Sequence, residues 1–130
     1  MREIIFRGKR WDNGKWAFGD LNQYQDSAII NTYEHGCRVA HEVDWRTIGQ
    51  YTGLTSNNGQ KIFEGDIVRT VYDGYEKILV VIWDDEELDF KATNGKKNYG
   101  AGGFRYMPCC EEIEVIGNIH DNPELLEEKL

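Results

Sequence analysis

Four Asn-Gly or Asp-Gly dipeptides punctuate this chain: Asn13-Gly14, Asn58-Gly59, Asp73-Gly74 and Asn94-Gly95, each between strand-like segments. A two-residue type I′ turn needs positive φ at both central positions, which Asn, Asp and Gly tolerate, so each dipeptide signals a hairpin. Four such reversals in 130 residues point to an antiparallel β protein.

The segments between the reversals support this. "IIFRGKRW" pairs with "KWAFGDL" and draws Trp11 towards Trp16, while "SAIINTY" reads as a third strand. "GCRVAHEVDW" reads as irregular or a weak strand, and "RTIGQYTGL" as a strand ending at Gly53. "DIVRTVY" and "EKILVVIWDD" flank Asp73-Gly74; in the latter, Ile78, Val80 and Ile82 project to one side and Leu79, Val81 and Trp83 to the other. A strand apolar on both faces belongs in the middle of a sheet. "LDFKATN", "GGFRYMP" and "EEIEVIGNIH" complete the set. In the tail, Asn122 suits a helix cap and Pro123 a first helical position, ahead of "ELLEEKL". The expected fold is mostly β, between all-β and α+β. It consists of antiparallel hairpins with a carboxy-terminal SH3-like curled barrel and one short carboxy-terminal helix. It forms a single domain over residues 1–130, with sub-units at 1–54 and 55–130.

Charge is unevenly spread. Residues 1–65 carry eight basic and eight acidic side chains, and residues 66–130 carry seven and fifteen, so the net charge of −8 lies in the second half. That half repels phosphate backbones. No stretch approaches the roughly 20 apolar residues of a membrane span, and "MREIIFRGKRW" reads as a first strand, not a signal peptide. Three cysteines, Cys37, Cys109 and Cys110, do not form a disulfide framework. Reduced thiols and a cytoplasmic location are expected.

Several stretches invite sharper readings. His35, Cys37 and His41 are close in sequence, and Cys109-Cys110 offers two more thiols, but paired zinc-ligand spacing is missing. Adjacent cysteines on a strand also point to opposite sides. "DDEELD" (residues 84–89) lacks the glycine pivot of a calcium loop and reads as a solvated hairpin tip. "YGAGGF" (residues 99–104) has no helix after it to complete a phosphate cradle and reads as a loop. Neither serine, Ser27 or Ser56, sits in a nucleophile elbow. Arg7, Lys9, Arg10, Trp11, Lys15 and Trp16 form a basic, aromatic hairpin, the chemistry that holds single-stranded nucleic acid when rings are exposed.

Three blocks, "MREIIFRGKRWDNGKW", "IGQYTGLTSNNGQKIFEGDIV" and "EVIGNIHDNPELLE", in this order, make the chain resemble the YopX protein family. The resemblance implies a mostly β protein encoded by phages and prophages and acting in the cytoplasm of a bacterial host. It implies no established activity, no cofactor and no catalytic or metal-binding residue. The combined expectation is a non-catalytic protein-interaction or assembly module, with an unidentified protein partner or a homo-oligomer, and no membrane contact. The alternatives are nucleic-acid binding by the amino-terminal hairpin and a small cysteine- or metal-dependent enzyme.

Overall fold

Backbone reversal at short intervals dictates the architecture. The computed structural model describes residues 3–94 and 104–126, which run mostly in antiparallel strands joined by tight turns. The chain divides into two units, residues 1–53 and 54–130.

In the first unit, β1 (Phe6–Lys9), β2 (Trp16–Gln23), β3 (Ala28–Glu34) and β4 (Cys37–Val43) form a meander. Strand β5 (Gly49–Thr55), which runs across the division, pairs with the other side of β1, giving the order β4-β3-β2-β1-β5. The first hairpin closes through four residues, Trp11–Gly14, not through a two-residue turn. Only Gly14 is left-handed (φ +70°), while the Asn13 side chain accepts the Lys15 amide at 2.9 Å. The two-residue primed turn of this unit is one the sequence reading passed over. His35 (φ +52°) and Gly36 (φ +79°) join β3 to β4, so most of "GCRVAHEVDW" is a regular strand. Residues Trp45–Thr47 form a 3-10 turn capped by Asp44, and the strand expected from Arg46 begins instead at Gly49.

The end of β4 is tied back to the first hairpin. Arg10 bridges Val43, the Trp11 amide donates to the Glu42 carbonyl at 3.2 Å, and the Asp44 amide donates to the Lys9 carbonyl at 2.8 Å. This curl requires close backbone approach. A Cβ at Gly19 would lie 2.1 Å from the Asn31 carbonyl oxygen. Inside the curl, Ala17, Ala28, Ile30 and Val43 are buried, flanked by Phe6, Leu21 and Ile48.

The second unit holds β6 (Lys61–Phe63), β7 (Asp66–Tyr72), β8 (Tyr75–Asp84), β9 (Asp89–Thr93), β10 (Phe104–Arg105) and β11 (Glu112–Asn118). Strands β7 to β11 form an antiparallel sheet in the order β10-β9-β8-β7-β11. Strand β8 is central, and consecutive Leu79, Val80 and Val81 are all buried, as an apolar run on both faces demands. One core gathers Ile62, Val68, Leu79, Val81, Ala92, Met107 and Ile113. Each such aliphatic side chain stabilises the fold by about 1.5–3 kcal/mol on burial.

Asp73 (φ +51°) and Gly74 (φ +80°) make the expected two-residue turn between β7 and β8. Asn58-Gly59 instead belongs to a longer loop, with the Ser56 amide bonded to the Gln60 carbonyl at 2.8 Å and Gly59 alone left-handed (φ +85°). Asp66 is a buried turn residue whose Oδ2 accepts the Phe63 amide at 2.7 Å. Gly95 of the fourth dipeptide lies outside the described residues.

Two of the finer expectations are not reproduced among the described residues. Among the described residues the second sheet is an open ladder bounded by β10 and β11, not a closed SH3-like barrel; β10 contributes only two residues. At the carboxy terminus, Pro123–Leu126 form a 3-10 turn in which the Leu125 amide bonds the Asn122 carbonyl at 3.1 Å. The rest of "ELLEEKL" lies outside the described residues.

Candidate functional site

The amino-terminal hairpin sorts its basic and aromatic residues by strand alternation. Arg7, Lys9 and Trp16 share one face of the β1–β2 ladder, in which Lys9 stands opposite Trp16. Arg7 is buried, its guanidinium 4.6 Å from the Trp16 ring centroid, and Lys9 Nζ is 5.7 Å from the same ring. Such cation–π contacts contribute about 0.5–1 kcal/mol when exposed and about 2 kcal/mol when desolvated. Trp11 sits in the turn and is 56% exposed, with the Arg46 guanidinium 5.8 Å away. Arg10 forks onto Asp12 (2.9 and 2.6 Å), and that bond holds the Asp12 carboxyl below its ordinary range. Arg46 forks onto Asp44 in the same way (2.9 and 2.8 Å). Lys15 is exposed. Of the two tryptophans in the hairpin, Trp11 is the open ring, with Arg46 near it; Arg10 and Arg46 each carry a local carboxylate.

The acidic run is organised around an inward-pointing lysine. Lys91 on β9 is the largest fully buried side chain among the described residues. Its ammonium lies 2.6 Å from Asp84 Oδ2, bonds Glu87 Oε1, and stands 3.8 Å from Asp89 Oδ1. Tyr106 roofs the cluster: its ring centroid is 5.2 Å from Lys91 Nζ and its hydroxyl donates to Glu87 Oε1 at 3.0 Å. Asp84 also accepts the Glu86 amide at 2.8 Å, so it caps the turn that carries Glu87. Burial depresses the Lys91 pKa, but the bonds from Asp84 and Glu87 outweigh it and hold the ammonium above its ordinary value. The Lys91 bond in turn keeps Asp84 and Glu87 low, and the Glu87 bond raises Tyr106. The predicted solvated tip is therefore half structural: Asp85, Glu86 and Glu87 are exposed, whereas Asp84 is buried.

A second buried cation braces the sheet. Arg105 Nη1 donates to the Thr70 carbonyl (3.1 Å), Thr70 Oγ1 (3.0 Å) and the Tyr75 carbonyl (2.8 Å). Neither Lys91 nor Arg105 is signalled by sequence, because an isolated basic residue in a strand ordinarily faces solvent. The remaining candidates are placed as follows. His35 lies in the β3–β4 turn, Cys37 starts β4, and His41 Nε2 is 3.0 Å from Thr32 Oγ1. Cys109 ends a 3-10 turn, Met107–Cys109, and Cys110 is its cap, so the adjacent thiols are not on a strand. Burial pushes the Cys110 thiol up. Among the described residues no group of three or more His, Cys, Asp or Glu side chains is arranged to hold a metal ion. "YGAGGF" lies outside them except for Phe104.

The YopX protein family matches residues 5–127, nearly the whole chain. The chain belongs to the YopX family. The crystal structure of protein EF1440 from Enterococcus faecalis is similar in fold, with a TM-score of 0.57 and 22% identity over 98% of this chain and 100% of that one. None of the curated proteins matches it. The YopX assignment accounts for the glycine-rich central block as turn and packing chemistry. No helix among the described residues is long and apolar enough to cross a membrane.

Proposed function

We propose that this YopX protein is a non-catalytic protein-interaction or assembly module, of phage or prophage type, acting in the cytoplasm of a bacterial host on a protein partner or on copies of itself. One observation carries the reading. Three of the four tryptophans stand on the surface, Trp11 at 56%, Trp45 at 45% and Trp83 at 40% exposure. Large rigid aromatics dominate the energetics of protein interfaces, and leaving them in water forgoes apolar burial. The buried groups best suited to chemistry, Lys91 and Arg105, are engaged in bracing the second sheet, which also favours a scaffold. The same reading includes an SH3-like curl of that sheet and a short helix continuing the Pro123–Leu126 turn.

The test is capture from lysogenic cells with the wild-type chain and with a Trp11→Ala, Trp45→Ala, Trp83→Ala variant, alongside light scattering across concentration. A partner or self-association present with the first and lost with the second supports the module. Catalytic turnover by the purified chain that disappears in Cys109→Ala or Cys110→Ala overturns it.

The exposed Trp11 ring between Arg10 and Arg46 favours a second reading, nucleic-acid binding through Arg7, Lys9, Arg10, Trp11, Lys15 and Trp16. Stacking needs an open ring, which Trp11 supplies; phosphate contact needs uncommitted cations, and Arg10 and Arg46 already hold carboxylates. Titration with single- and double-stranded DNA at low salt decides it: no binding removes this alternative.

A further inference from the structure

We propose that Cys109 and Cys110 form a chelating dithiol site for a trivalent thiophilic metalloid, arsenic(III) or antimony(III) in type, at the lip of a groove in the second unit. Both thiols are free, Cys109 exposed and Cys110 half-buried. Cys110 lines a depression of about 260 Å³ with Ser56, Asn57, Met107, Glu111 and Ile113. The pair sits on a rigid base. Met107 is buried in the core, Pro108 fixes its own φ, and the Cys109 and Cys110 amides bond the Tyr106 and Met107 carbonyls at 3.0 and 3.1 Å.

Local geometry selects the ligand class. In an extended strand, neighbouring side chains point to opposite faces, which would keep the two thiols apart. Cys109 is the last residue of a 3-10 turn and Cys110 its extended cap; with about 3.0 residues per turn, the step between them rotates the side chain by roughly 120° and not 180°, so two flexible thiols can address one centre. Their α-carbons, adjacent across a trans peptide, are about 3.8 Å apart, closer than the roughly 4.4–6.8 Å of ordinary disulfides. A direct S–S bond is therefore strained. A bridging atom with two longer bonds to sulfur relaxes that constraint, and a pyramidal trivalent centre takes two thiolates at a narrow angle, where a linear two-coordinate metal does not. The depression leaves room for the substituent on the third position. With an organoarsenic oxide the step balances without any redox change. Two arsenic–sulfur bonds form, the arsenic–oxygen bond breaks, and the two thiol protons leave with the oxygen as water.

The probe is phenylarsine oxide added to the reduced full-length protein, followed by intact mass spectrometry. One equivalent is expected to bind and to persist in excess 2-mercaptoethanol, because two tethered thiols exceed one by roughly 10²–10⁴-fold in apparent affinity. It is expected to leave on addition of 2,3-dimercaptopropanol. Cys109→Ser, at an exposed position and with its fold checked by circular dichroism, should lose the persistent adduct, and Cys37→Ser should keep it. An adduct that survives Cys109→Ser, requires Cys37, or is displaced by the monothiol overturns the proposal, as does failure of the wild-type chain to bind.

Discussion

Lys91 Nζ lies 2.6 Å from Asp84 Oδ2 across the β8–β9 hairpin, with both side chains nearly inaccessible to water. A buried ion pair tolerates loss of both members better than loss of one, because a single deletion strands a charge. Lys91→Met and Asp84→Asn should each destabilise the second unit strongly. The double variant should be less destabilised than the sum of the two, measured by urea denaturation as a double-mutant cycle. Strict additivity would refute the coupling.

The same cluster sets a pH window. Asp84 and Glu87 are held below their ordinary pKa in the folded state, so their stabilisation is present above the unfolded carboxylate range, about pH 4, and is lost as pH falls through their folded values. Lys91 is held above its ordinary value, so its stabilisation is complete below about pH 10 and is lost as pH rises through its folded pKa. Melting temperature should be flat between those limits and fall on both sides, and the acid limb should flatten in Lys91→Met.

Gly19 reports on the curl of the first unit. Alanine there would place Cβ 2.1 Å from a backbone oxygen that cannot rotate away. The expected cost of Gly19→Ala is about 2–3 kcal/mol, in the range of overpacked sites. Gly117→Ala should cost less, since its nearest obstacle, 2.6 Å away, is the Asn122 side chain. Chemical denaturation of the two variants checks the order.

Leu88 adopts φ +56° in the β8–β9 turn while 71% exposed. A left-handed conformation costs a non-glycine residue about 1–2 kcal/mol, and glycine gives back about 0.5–1 kcal/mol of that as unfolded-state entropy. Leu88→Gly should therefore stabilise the protein by about 0.5–1 kcal/mol; a loss of stability would show that the leucine side chain makes a contact worth more than the strain.

Arg105 makes three hydrogen bonds that knit β10 to the β7–β8 hairpin. Arg105→Met leaves those acceptors without their charged donor and should cost about 3 kcal/mol, given about 1.5–3 kcal/mol for a single bond to a charged group and the incomplete additivity of bonds from one side chain. Arg105→Lys should recover only part of it, because all three bonds come from Nη1 and a lysine ammonium ends one bond short of that position. A neutral outcome in equilibrium unfolding would show the bracing to be dispensable.

Local chemistry in the sequence determined where this chain reverses and which segments extend. Asp73-Gly74 occupies the two-residue turn its φ preferences require, and the apolar run Leu79–Val81 lies in the middle strand of its sheet. Turn type was less legible: at Asn13 and Asn58 the loop lengthens and glycine alone turns left-handed, while His35-Gly36 takes the primed turn. Histidine tolerates positive φ better than most residues, but His-Gly is not among the dipeptides that mark a two-residue hairpin. Tertiary structure alone decided which polar side chains turn inward. Lys91 and Arg105 are single basic residues in strands, indistinguishable by spacing from solvent-facing ones. Burial of Lys91 is stable because folding of its own hairpin closes Asp84, Glu87 and Asp89 on the ammonium, and burial of Arg105 because oxygens of Thr70 and Tyr75, far away in sequence, converge on it. Cys109 and Cys110 likewise escape the opposed placement of strand neighbours only because the chain before Cys110 winds into a 3-10 turn. Propensity acts along the chain over a few neighbours, whereas desolvation and pairing are settled by which side chains the folded hairpins and sheet bring together.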